Sequence, residues 1–232
     1  MKLIKKIFCL TLILLMAGVG VGCTKANNEV KEDSNEKGYS SELLSYFPSV
    51  EGTVLNYSGT AEYGQTLTLN KVTDNEDLLA LNFKGEILDV SEGEGPSKED
   101  RGIETEYTIN KDTVTQKQKN LTRRFSQSII KDQVVLKLPI KAGNTWDQKV
   151  NIDGKEYTMQ TKITDVSKDD KNKNIVKTET TIQGIEDYPE NTYKEIKIFK
   201  EGKGLVEFKN TIFLGETKDP FEFGYMLFES EK

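Results

Sequence analysis

The chain contains no histidine, and its only cysteines are Cys9 and Cys23. The part beyond Cys23 therefore has neither imidazole nor thiol. Ser-His-Asp and Cys-His catalysis are excluded, and so are zinc sites built on His or Cys. No disulfide can brace the folded part, which must rest on its core alone. Tryptophan is nearly absent, with Trp146 the single copy. A basic surface is also missing: 32 Lys and Arg stand against 38 Asp and Glu. An acidic exterior argues against nucleic acid as a partner, because binding phosphates needs a positive footprint. The chemistry left open is carboxylate acid/base work, a Ser-Lys pair, or oxygen-only calcium binding.

What is present begins with residues 1–23. Lys2, Lys5 and Lys6 precede an apolar run from Ile7 to Ala17, which closes on Gly20-Val21-Gly22-Cys23. A basic start, an apolar run too short for a stable span, and small residues before a cysteine make a secretory signal. The segment resembles a bacterial lipoprotein signal. Val21, Gly22 and Cys23 match that family's pattern, and Gly20 stands where it usually has Leu. The resemblance implies cleavage before Cys23, lipid on its sulfur, and attachment to the membrane on the extracytoplasmic face. An ordinary secretory signal cut elsewhere, or an uncleaved anchor, is the alternative. Without residues 1–22, which hold three lysines and no acid, 29 basic residues face 38 acidic ones.

Residues 24–38 are Asn, Glu, Lys, Asp and Ser with almost nothing apolar. They cannot bury enough surface to offset their ordering entropy, so residues 23–40 are expected to form a flexible tether with ends roughly 20 Å apart. Residues 40–47 then read as one or two helical turns. Serine caps the start, Leu43, Leu44 and Phe47 share a face, and Pro48 ends the helix.

From Gly52 the hydrophobic period becomes two. Leu67 and Leu69 alternate with polar neighbours, as do Leu79, Leu81 and Phe83, then Ile103, Thr105, Tyr107 and Ile109. Val134, Leu136, Leu138 and Ile140 follow, then Trp146, Gln148, Val150 and Ile152. The pattern continues through Tyr157, Met159, Thr161 and Ile163, then Val176, Thr178, Thr180 and Ile182, and ends with Val206, Phe208 and Ile212. Such alternation belongs to antiparallel sheet wet on one face. Asp153-Gly154 between two such runs is the strongest hairpin signal. Turn clusters also fall at residues 75–77, 110–112, 169–174 and 201–204. The expected fold is all-β over residues 41–232: a mostly antiparallel sandwich or half-barrel of about 11–12 strands with a short N-terminal helix. The aromatic C-terminal run, residues 221–228, suits a last strand covering a sheet edge or the lining of an apolar groove.

Two stretches, residues 52–115 and 143–213, echo one another and suggest an internal duplication. Gly52-Thr53-Val54-Leu55 matches Gly143-Asn144-Thr145-Trp146, and Tyr107-Thr108-Ile109 matches Ile196-Lys197-Ile198. Between the halves, residues 113–131 carry Lys117, Lys119, Arg123, Arg124 and Lys131 and no acid. Leu121, Phe125 and Ile129 are spaced by four, as on one helix face. This is a candidate surface for anionic headgroups or wall polymers, or a solvated outer strand and crossover.

Other candidates carry less. The acidic loop at residues 92–100 lacks calcium-loop spacing. Ser128-Ile129-Ile130-Lys131 formally matches Ser-x-x-Lys without a companion motif. No pair of acids stands among the apolar neighbours that would shift a catalytic carboxyl. Pro139 to Trp146 resembles the Pro-x-x-x-Gly-x-x-Trp openings of poorly characterised envelope β-proteins, a likeness of under ten residues that implies no function. The expectation is a membrane-anchored, non-catalytic module without cofactor or metal, binding an envelope ligand at Trp146, Tyr157 and Phe223 or touching a partner through its surface. A carboxylate hydrolase acting on wall or glycan is the alternative.

Overall fold

The computed structural model describes residues 37–88, 97, 100–119, 127–214 and 219–228. Twelve strands form one antiparallel sheet: β1 (Val54–Gly59), β2 (Gly64–Asp74), β3 (Leu79–Ile87), β4 (Gly102–Ile109), β5 (Thr113–Lys119), β6 (Asp132–Lys137), β7 (Thr145–Ile152), β8 (Lys155–Lys168), β9 (Asn174–Gln183), β10 (Thr192–Lys200), β11 (Gly204–Leu214) and β12 (Asp219–Leu227). Each strand pairs with its sequence neighbours, except β6 with β7, and β12 returns to pair with β1, opposing Leu227 to Tyr57. The two edges are β6 and β7. They face each other, so the sheet is a nearly closed barrel rather than a half-barrel.

Side chains cross the seam that remains. Gln148 of β7 accepts from the Val134 amide at 2.8 Å and donates to the Asp132 carbonyl at 3.3 Å, and the Trp146 indole donates to the Val134 carbonyl at 3.2 Å. Curling brings the edges near enough for side chains to bond the rims, which covers groups that would otherwise invite another strand.

The turns are those the sequence demands. Asp153 (φ 51°) and Gly154 (φ 84°) join β7 to β8, the paired positive φ of a two-residue hairpin. The opening of β1 is built like the opening of β7. Gly52 donates to Leu69 and Gly143 to Ile163, both at 2.8 Å; Leu69 donates back to Thr53, and Ile163 back to Asn144. A bulge follows each accepting residue, between Leu69 and Lys71 and between Ile163 and Asp165.

Helix α1 (Ser41–Leu44) is one turn, capped by the Ser40 hydroxyl, which accepts from the Leu43 amide at 3.2 Å. Its flanks bond the β4–β5 and β10–β11 turns: Ser40 to Asn110, Gly202 to Ser45 and Gly204 to Tyr46. Leu43, Tyr46 and Phe47 enter the core, so α1 plugs that end of the barrel. The folded part starts earlier than residue 41. Lys37 pairs with Asp74, Gly38 donates to Glu76, and Tyr39 is buried. Both apolar clusters, at their widest, are drawn from residues between 39 and 227, so the barrel is held by its own core from residue 37 onward. Because strands alternate in direction, the β7–β8 and β9–β10 turns lie at the opposite end.

Most inward positions follow the alternation, with two differences. The run from Val134 to Ile140 is not one strand: β6 bulges at Val135, opposite the Val114–Thr115 step of β5, Gln133, Val135 and Leu136 are buried, and β6 ends at Lys137. In β10 the pattern inverts. Tyr193, Glu195, Lys197 and Phe199 are buried while Ile196 and Ile198 are half-buried on the outer face. Tyr107 therefore shares its inward facing with Lys197, not with Ile196. Residues 113–119 are strand β5, as in the outer-strand reading of the basic segment; Leu121, Phe125, Arg123 and Arg124 lie outside the described residues.

Candidate binding site

Two apolar layers fill the barrel, and a polar belt separates them. At the plugged end lie Leu43, Phe47, Leu69, Ile109, Ile163, Val176 and Phe199; at the open end lie Val150, Ile152, Met159, Ile182, Ile185 and Tyr193. Between them the same strands present Thr161 and Thr180 (hydroxyls 2.9 Å apart), Thr178, Gln133, Gln116, Glu195, Lys197 and Asn210, all buried. A twelve-stranded barrel encloses more space than aliphatic side chains fill, and long polar side chains take up the middle.

Glu195 is the centre of the belt. It is fully buried and pairs with the buried Lys197. Its carboxylate also accepts from the Tyr193 hydroxyl at 2.6 Å and the Gln133 amide at 3.0 Å. Burial by itself would push this carboxyl up, but the Lys197 ammonium and the hydrogen bonds from Lys197, Ser128 and Tyr193 outweigh it and hold Glu195 below the usual range. Burial lowers Lys197, and the charge of Glu195 offsets part of that. Burial, then the nearby carboxylate, pushes Tyr193 well up. A carboxylate so fully occupied is a structural brace, not a group free to move a substrate proton.

Above the belt, at the end opposite α1, a cleft of about 530 Å³ opens. That volume suits a small amphipathic molecule. Ile152 and Tyr157 come from the β7–β8 hairpin, Ile185 and Tyr188 from the β9–β10 loop, Ile212 and Phe213 from β11, and Gln127 and Ile129 from the segment before β6. Ile152, Ile185 and Ile212 are buried, forming an apolar wall, while Asp153, Lys155, Glu186 and Asp187 are exposed at the rim. The Lys155 ammonium lies 4.9 Å from the Tyr157 ring centre. Gln127 reaches both this cleft and a cavity of about 20 Å³ inside the barrel, which has room for about one water.

Of the sequence candidates, Tyr157 lines the cleft. Trp146 is buried at the seam, and Phe223 packs edge-on against Tyr63 at 6.2 Å, so the three are not brought together. Lys117 is exposed on β5 opposite Glu106; Lys119 pairs with Glu104 at 3.2 Å and Glu106 at 3.6 Å. Ser128 is buried and accepts from Gln133, whereas Lys131 is exposed. Cys23 and most of the acidic loop at residues 92–100 lie outside the described residues. No cluster of metal-binding side chains occurs among the described residues.

Sequence reasoning missed Ile185, Tyr188, Gln127 and the Glu195–Lys197 pair. The signal for the pair was present: Tyr193 and Phe199 share its parity, so two aromatics bracket two charges on one strand face. Ile185 and Tyr188 sit in a loop, where no periodicity marks an inward side chain.

No family model and no curated protein matches the chain. Among solved structures it is similar to a protein designated a lipoprotein from Parabacteroides distasonis, at 8% identity and a TM-score of 0.40, covering 78% of this chain and 96% of that one. It is also similar to a protein designated as exported, with a YmcC-like fold, from Bacteroides fragilis, at 11% identity and a TM-score of 0.38 with the same coverage. Likeness of this degree carries no argument about what the chain does.

Proposed function

We propose that this is a lipid-anchored extracytoplasmic binding protein, attached through Cys23, whose open-end cleft holds a small amphipathic envelope molecule without chemical change. The observation that carries this reading is the asymmetry of the barrel. One end is plugged by α1, and the other opens into an apolar cleft of about 530 Å³. The described chain starts at the plugged end, where Lys37 meets Asp74, so the cleft lies at the end opposite Lys37. Carboxylate hydrolysis finds less support. The best-placed acids, Asp153, Glu186 and Asp187, are exposed on turns, and Glu195 is bonded on both oxygens.

The test is native mass spectrometry of a chain beginning at residue 27, incubated with an extract of the cell envelope, followed by denaturation and extraction. The expected result is a small molecule released on unfolding from the wild type and missing from Ile185→Trp, which fills the cleft. Equal occupancy in Ile185→Trp, or no adduct even after incubation with envelope lipid extract, would sink the reading.

A further inference from the structure

Building on the binding reading, we propose that the cleft selects a cationic amphiphile, an apolar body carrying an amine or quaternary ammonium group, and disfavours anionic lipids. Three independent features point the same way. Among the described residues that line the cleft, the exposed rim carries the acids Asp153, Glu186 and Asp187 and the cation Lys155, so acids outnumber cations at the mouth of an apolar space. Inside, Gln127 is 6% exposed, and its carbonyl oxygen has no partner among the described residues, which leaves the oxygen's partial negative charge to a cation or an N–H of the occupant. The Tyr157 ring already carries an ammonium, that of Lys155, and such a face attracts a cation more strongly as water is displaced. A fatty acid or phosphate headgroup would meet carboxylates where it needs donors. A cationic head meets carboxylates, a π face and a carbonyl oxygen. The acidic exterior adds long-range attraction of the same sign.

The experiment is calorimetric titration of the chain beginning at residue 27 with three probes of equal tail length, each below its micelle concentration: decyltrimethylammonium, decyl sulfate and decyl maltoside. One decyltrimethylammonium is expected per chain, bound roughly tenfold more tightly than decyl sulfate, the size expected of a few partly exposed charge pairs. The triple variant Asp153→Asn, Glu186→Gln, Asp187→Asn should bring the two within about threefold. Ile185→Trp should abolish binding of all three; Ile212→Trp, on another element, replaces it if circular dichroism shows Ile185→Trp to be unfolded. Equal or tighter decyl sulfate binding that Ile185→Trp still abolishes overturns the cationic preference and leaves the cleft standing. Binding that survives both cleft-filling variants, or no binding by any probe, overturns the cleft as the site, and the preference with it.

Discussion

Gln148 accepts a hydrogen bond from the Val134 amide across the seam at 2.8 Å, in the place a backbone carbonyl of a neighbouring strand would take. Its amide nitrogen reaches the Asp132 carbonyl as well, so one side chain supplies both halves of a ladder step. Gln148→Leu keeps the bulk and removes both bonds. The bond to Asp132 is exposed and water replaces it, while the half-buried Val134 amide loses its partner at a cost of about 1 kcal/mol, so urea denaturation should show a loss of about that size. Hydrogen exchange should show Val134 among the amides that lose most protection; unchanged protection there would mean the seam is held by other contacts.

The Glu195–Lys197 pair lies where neither charge can survive alone. Glu195→Gln or Lys197→Met strands a buried charge, and either should cost about 3–5 kcal/mol. The double variant removes both charges and should be more stable than at least one single variant, because desolvation no longer has to be offset. A denaturation cycle measures this. Additive losses would show that the two side chains act independently.

Acid should weaken the fold through the same carboxylate. A folded-state value below the unfolded one contributes stability that is present above the unfolded value, about 4.3 for Glu, and is lost as pH falls through the folded value. Asp169, bonded by the Lys173 amide and Lys200, and Glu201, bonded by Lys173, act in the same direction. The melting temperature should fall below about pH 4.5, and the fall should be shallower in Glu195→Gln. Parallel curves would remove Glu195 as a source.

Alkali should act through tyrosine. Burial holds five of the nine tyrosines above the usual range, Tyr46 among them and Tyr57, Tyr107, Tyr193 and Tyr225 furthest up. Groups raised in the folded state stabilise it below the unfolded value, about 10, and lose that contribution as pH climbs through the folded value. Lys197, lowered by burial, works the other way in its own window but is one group against five. Absorbance at 295 nm should show the four phenols furthest up ionising together with unfolding, not before it; stepwise titration of all nine in a folded chain would contradict this.

Gly85 of β3 lies hard against the β2 backbone at Thr66 and Leu67. A Cβ there would lie 1.7 Å from the Thr66 carbonyl oxygen. Gly85→Ala must push the strands apart and should cost about 2 kcal/mol or more, read from the denaturation midpoint. A neutral result would mean that the strands part without penalty.

Much of the fold was legible because a strand wet on one side writes itself as alternation. Leu79, Leu81 and Phe83, or Val150 and Ile152, could face only one way. Legibility failed where packing, not water, chose the face. In β10, Glu195 and Lys197 turn inward because Tyr193 and Phe199 on the same face bury far more apolar area, and because Gln133 and Ser128 wait inside to pair the charges. In β6 a bulge moved Val135 inward against the pattern. Tyr157 was visible as a site candidate on its strand; Ile185 and Tyr188 were not, since their inward aim comes from a loop folding over the barrel mouth.

Taken alone, the order of residues determined the all-β class, the positions of the turns, and the absence of imidazole and thiol chemistry beyond Cys23, because these depend on local period, local backbone preference and composition. Closure of twelve strands, the partners of the buried charges and the cleft at one end were decided only in three dimensions, because each depends on side chains distant in the chain meeting across a barrel interior. Gln133 lies 62 residues from Glu195, and no local pattern records that meeting.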